Sequence, residues 1–186
     1  MGEILGYLAV ALPNDISAGA RLLALQCALR INASMQVELP AGLLRGLRVE
    51  AMEACRELER ARWLTMADSP QVAGVTAQLR DATLLAQSPA RPDRRRAADW
   101  ALRTGCPARI RAAEPRLRLS GLYLAAHSDP SSGEGRSDCD RIIRDCGMHH
   151  QGFHGALCHL TATGILEGWR ICRVSGDVYW TLAPAR

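Results

Sequence analysis

The chain has no lysine. All 23 of its positive charges are arginine. A GC-rich coding sequence produces that pattern everywhere, so the arginines carry meaning only through where they stand, although Arg is the better partner for phosphates and base edges. Aromatics are also scarce, with one Phe, three Tyr and four Trp among 186 residues. The core must therefore rest on Leu, Ala, Val and Ile. No Cys-x-x-Cys pair occurs, and the Cys count is odd at seven. With no secretion signal in sight, this argues against a disulfide framework and for reduced thiols in a cytoplasmic protein. The run from Ile4 to Leu12 is far short of the roughly 20 apolar residues of a membrane span, and it lacks a basic leader and a small-residue cleavage pattern. It is expected to be a buried helix or strand, and no membrane partner is expected. Phosphate-cradling glycine loops, a nucleophile elbow and His-Glu-x-x-His are all absent. No enzyme chemistry and no cofactor are expected.

What is present is uneven. Residues 1–82 hold eight Arg and nine acids, residues 83–118 nine Arg and three acids, and residues 119–186 six Arg and seven acids. The positive charge of the chain thus sits in its middle, around Arg94, Arg95 and Arg96, with Arg103, Arg109, Arg111, Arg116 and Arg118 following. Such a cluster suits phosphates, or it balances acids on either side.

Hydrophobic periodicity predicts a helix over 14–31, capped by Asn14 or Asp15, with Ile16, Ala20, Leu23, Cys27 and Ile31 on one face. A short strand follows at 35–39, then a helix over 41–47 entered through Pro40. A longer helix over 49–62 buries Ala51, Cys55 and Leu58. Strands at 63–66 and 72–82 flank a turn at 68–71. The second part of the chain reads alike. Helices are predicted over 115–127, 137–146 and 149–163, the last burying Phe153, Leu157 and Leu160, with a loop at 130–135. A hairpin is predicted from 169–174 and 178–183 around Ser175–Asp177. Between the two parts, 88–93 reads as a linker, 94–105 as a short helix and 106–115 as a further turn or helix.

Two junctions stand 102 residues apart. Leu58, three residues, Arg62, Trp63, Leu64 corresponds to Leu160, three residues, Gly164, Ile165, Leu166. In this order of elements and at these junctions, both parts resemble the winged helix-turn-helix superfamily, whose third helix commonly ends on Leu, three residues, Gly and two apolar residues. Arg62 departs from that Gly. The resemblance implies a mainly α fold with small β-wings, as two modules over 1–87 and 115–186 joined by an Arg-rich segment over 88–114.

It also implies double-stranded DNA as partner, with the third helix entering the major groove. In the second module the outward residues of that helix are His150, Gln151, His154, Gly155 and Cys158. In the first, the outward residues are Arg48, Val49, Met52, Glu53 and Arg56, joined by Arg45 from the preceding helix. Arg170 and Arg173 lie on the second wing. Glu50, Glu53, Glu57 and Glu59 crowd the first module's third helix and repel phosphate, so that module suits a homodimer contact or a protein partner equally well. Two functions follow from the resemblance. One is a DNA-binding transcriptional regulator or plasmid or phage control factor. The other is a protein-binding tandem scaffold of the kind found in chromosome-organising complexes. His150, His154 and Cys158 share a helix face near Cys139 and Cys146, but zinc-ligand spacings are not met, and no metal is expected.

Overall fold

The structure is a computed structural model that describes residues 1–67, 74–104 and 114–184. The expected turn at 68–71, the turn or helix over 106–115 for most of its length, and Arg109 and Arg111 lie outside the described residues. The described residues are mainly helical, with two small antiparallel sheets of three strands each among them.

Helix α1 (Gly2–Ala11) precedes the first repeat, which runs α2 (Ala18–Arg30), β1 (Gln36–Pro40), α3 (Ala41–Leu47), α4 (Ala51–Arg60), β2 (Leu64–Met66) and β3 (Gly74–Leu79). Among the described residues of the connection are two helices, α5 (Thr83–Gln87) and α6 (Arg91–Thr104). The second repeat follows the same order: α7 (Pro115–Ala126), β4 (Glu134–Asp138), α8 (Cys139–Asp145), α9 (His150–Ala162), β5 (Leu166–Ile171) and β6 (Asp177–Leu182). In each repeat the last strand is central, giving β1-β3-β2 and β4-β6-β5.

Several boundaries differ from those expected. Ser17, not Asn14 or Asp15, caps α2, its hydroxyl accepting from the Ala20 N–H at 3.1 Å. Helix α6 begins at Arg91, inside the expected linker, and α5 was not expected at all. Strand β4 replaces part of an expected loop and helix. Its Gly135 pairs with Trp180, and a Cβ there would lie 2.2 Å from the indole, so glycine makes room for the largest side chain of the sheet.

The repeats agree most closely where the backbone turns left-handed. Met35 and Gly133 stand before the first strand, Arg48 and Gly147 between the second and third helices, and Arg62 and Gly164 after the third. At the last pair the Trp63 N–H reaches the Leu58 carbonyl at 3.0 Å and the Ile165 N–H reaches Leu160 at 2.9 Å. Both are the six-to-one closure that ends a helix on a left-handed residue. Arg62 therefore fills the conformation that Gly164 fills, which accounts for the departure at that junction.

The buried residues form one cluster through both repeats. Helix α2 is buried on nearly every side, by α1, α4, α6, α7 and β1. Its apolar residues are therefore not confined to a single stripe. Polar anchors tie the connection to it. Arg94 donates to the Ile31 carbonyl at 2.9 Å and to Pro89 at 2.8 Å, the Gln26 amide donates to the Ala98 carbonyl at 3.4 Å, and Arg30 pairs with Asp99 at 2.8 Å. Arg118 of α7 donates to the Leu47 and Gly46 carbonyls. Arg21 of α2, 2% exposed, donates to the Pro13 carbonyl at 2.8 Å and lies against Gly147, where a Cβ would meet its Nε at 2.2 Å. Thus a side chain of the first repeat seats the turn that leads into α9.

Candidate nucleic-acid interface

Helix α9 starts at His149, whose Nδ1 accepts the Gly152 N–H at 3.0 Å. Gly152 is required there, because a Cβ would stand 2.7 Å from that nitrogen. Phe153, Ala156, Leu157 and Leu160 are buried, which turns His150, Gln151, His154, Gly155 and Cys158 outward. Space above Gly155 is open. His150 stands 3.3 Å from the Asp140 carboxylate, which brings a negative charge beside an expected base contact. His154 sits edge-on to Trp169 at 4.9 Å between centroids, with its Nδ1 3.8 Å from the Cys158 sulfur. This face is mainly neutral, and it offers an amide and imidazole nitrogens, groups that pair with base edges.

On the first repeat, Arg45 and Arg48 are exposed. Arg48 shares a cleft of about 550 Å³ with Glu50, Glu53, Glu57, Glu114 and Arg116. Two of the four glutamates of the third helix have local duties. Glu57 accepts the Ser17 N–H at 2.9 Å and Glu59 accepts the Met66 N–H at 2.8 Å. Glu50 and Glu53 remain as exposed carboxylates in the cleft with Arg48.

The central arginines divide. Arg94, 6% exposed, is spent on backbone carbonyls, so the expected phosphate contact there is corrected: its guanidinium holds α6 on α2. Arg118, 2% exposed, is likewise structural. Arg91, Arg95, Arg96, Arg103 and Arg116 are exposed, with Arg96 paired to Asp93. Sequence spacing carried no sign of this split, because the accepting carbonyls of Ile31 and Leu47 are remote in the chain.

The β5–β6 hairpin carries Arg173 at its turn beside Val174, which is 97% exposed. Arg170 lies over the Tyr179 ring, 3.9 Å from its centroid. The Cys172 thiol is pulled down to about 7 by the Ser175 hydroxyl and by backbone N–H groups of Ser175 and Val174. A groove bordered by Arg96 and Trp100 of α6 shares Asp129, Ser132 and Thr181 with the groove over the outer face of the second sheet. The fold thus brings part of the basic segment beside the second sheet, whereas Arg45 and Arg48 stay with the first repeat.

Among the described residues no group of three or more His, Cys, Asp and Glu gathers in a metal-holding arrangement. Cys146 is buried, His149 is a helix cap and Cys158 is exposed. Among the described residues no helix is long and apolar enough to cross a membrane.

No family model, curated protein or solved structure matches this chain.

Proposed function

We propose that the chain is a DNA-binding protein made of two winged helix-turn-helix modules, acting as a transcriptional regulator or a plasmid or phage control factor. The observation that carries this reading is the repeated order α-β-α-α-β-β, closed by the same left-handed turn after α4 and α9, with α9 presenting an uncluttered polar face. In this reading His150, Gln151 and His154 meet base edges. Arg95 and Arg96 of α6 and Arg170 and Arg173 of the wing neutralise phosphates.

Salt-dependent mobility shifts on random and genomic duplexes test it. Replacing Arg95 and Arg96 by Ala weakens binding to all sequences and flattens the log–log salt slope by about 0.9 for each phosphate no longer neutralised. Gln151→Ala costs about 1–3 kcal/mol at the preferred site and little elsewhere. Failure to bind any duplex at low salt defeats the reading.

A second reading is a protein-binding scaffold. The outward Glu50 and Glu53 of α4 favour it, since carboxylates at the third helix repel phosphate. A partner or second copy captured through the cleft at Arg48, without any DNA shift, would support it.

A further inference from the structure

The second sheet has a face turned away from α9. Trp169 faces His154 on α9, so its neighbour Arg170 lies on the opposite side. Register places Arg136 of β4, Tyr179 of β6 and Arg170 of β5 in one cross-strand row, and Glu134, Thr181 and Gly168 in the next. The Arg170 and Arg136 guanidinium carbons lie 3.9 and 5.2 Å from the Tyr179 centroid. Arg136 also pairs with Asp177 at 2.6 Å, and the Ser175 hydroxyl first, then Arg136, hold that carboxyl below its usual range. Among the described residues no ion pair engages Arg170.

An open groove of about 740 Å³ spans both rows. Its far end is edged by Glu134, Ser132 and Asp129. The Asp129 carboxylate fixes the loop by accepting the Ser131 hydroxyl and the Ser131 and Ser132 N–H groups, the last two at 2.8 and 2.9 Å, and together they pull it down to about 2.

Two arginines flanking one residue repel each other, and exposed arginines ordinarily lose rotamer freedom when they bind. Here the ring of Tyr179 holds both in place beforehand. The result is a fixed pair of cations with planar guanidinium faces at one end of a groove, and carboxylate and hydroxyl acceptors at the other. A phosphate suits the first end. A planar base carrying amino groups stacks along the guanidinium face and donates to Glu134 and Thr181. The volume is within the range of small-ligand sites, roughly 300–1,000 Å³.

We propose that this outer sheet face binds a nucleotide unit, with its phosphate at Arg136 and Arg170 and its base toward Glu134 and Thr181. The site shares Arg170 with the duplex phosphate contacts proposed above but uses none of the base-reading residues of α9, so it stands whether or not α9 reads duplex DNA. The unit comes either as a free mononucleotide or within an unpaired strand.

The test titrates the full chain with fluorescent derivatives of ATP and GTP, with a labelled 15-nucleotide single strand and with a labelled 15-base-pair duplex. Saturable binding of a mononucleotide identifies the free source. Binding of the single strand alone identifies the strand. Arg170→Gln, which breaks no ion pair, weakens either at least tenfold. Tyr179→Phe keeps binding, Tyr179→Ala loses at least tenfold, and Arg60→Gln, a charge removed from α4, changes nothing. Thermal melting of each variant separates lost binding from lost fold. The proposal is overturned if wild type binds neither mononucleotide nor single strand, or if a folded Arg170→Gln protein binds as wild type does. Loss of duplex binding alone would defeat the reading of α9 and leave this site standing.

Discussion

The two repeats share an element order but solve it with different residues. Where the backbone turns left-handed, the second repeat uses Gly133, Gly147 and Gly164, and the first uses Met35, Arg48 and Arg62. A side chain in that conformation costs roughly 1–2 kcal/mol. The thiols divide only in part. Cys27 and Cys55 of the first repeat are buried, and burial pushes both up, Cys55 to about 11. The second repeat buries Cys146, which burial likewise pushes up, but it also leaves Cys158 exposed and has Cys172 pulled down to about 7. The topology therefore tolerates strain in one copy while the other is relaxed, and the copy with the relaxed backbone is the one with the open third helix.

The sharpest way to break this comparison is to ask whether the repeats unfold together. Leu58→Ala and Phe153→Ala remove fully buried side chains of α4 and α9, at about 2–5 and 3–5 kcal/mol respectively. Because one buried cluster joins the repeats, each substitution is expected to lower a single cooperative transition in urea followed by circular dichroism. Two resolved transitions, only one of them moved, would show that the halves are energetically separate.

Exchange at the left-handed turns comes next. Gly147→Ala puts a Cβ both at positive φ and into Arg21, for an expected loss of about 2–4 kcal/mol. Arg62→Gly relieves strain at some entropic cost and is expected to gain about 0.5–1 kcal/mol. Equal losses in both variants would remove the contrast between the copies.

A pH titration tests the end of α8 in the second repeat. Burial raises the Asp145 carboxyl above 3.8, against the opposing pull of Arg141 and Arg144 at 3.6 and 3.8 Å. The native state then holds this proton longer than the unfolded chain does. Its contribution falls as pH rises from about 3.8 through the raised native value. Asp145→Asn should remove that decline, and stability curves of the two proteins that stay parallel across the window would contradict it.

The smallest effect is chemical. Alkylation at pH 7.5, read by peptide mass spectrometry, should modify Cys172 ahead of Cys139, whose thiol is raised by burial, and leave Cys27 and Cys55 intact. Early labelling of Cys27 would mean that the first repeat opens locally.

Much of this architecture was legible in the residues. Periodicity found α4, α7 and α9, and the Leu58 and Leu160 junctions found both helix-to-strand turns. Strand β4 was not legible, because Glu134–Asp138 has no apolar residue and owes its place to the gap that Gly135 leaves for Trp180. The outward face of α9 followed directly from Phe153, Leu157 and Leu160. The burial of Arg21, Arg94 and Arg118 did not follow, since nothing local separates an arginine bound to a distant carbonyl from one in water. The row of Arg136, Tyr179 and Arg170 was half visible through Arg170, and needed the register of three strands to assemble.

The enclosure of α2 has a consequence during synthesis. Its neighbours α6 and α7 begin 61 and 85 residues after Arg30. At about 5–20 residues per second, the ribosome leaves that helix without its α7 partner for roughly 4–17 s. During that interval an apolar surface built for the interior faces solvent, and the first repeat must wait in a partly formed state for the second to emerge. Slow codons between residues 30 and 115 would lengthen that exposure, and a chaperone that shields apolar helices would find its substrate there.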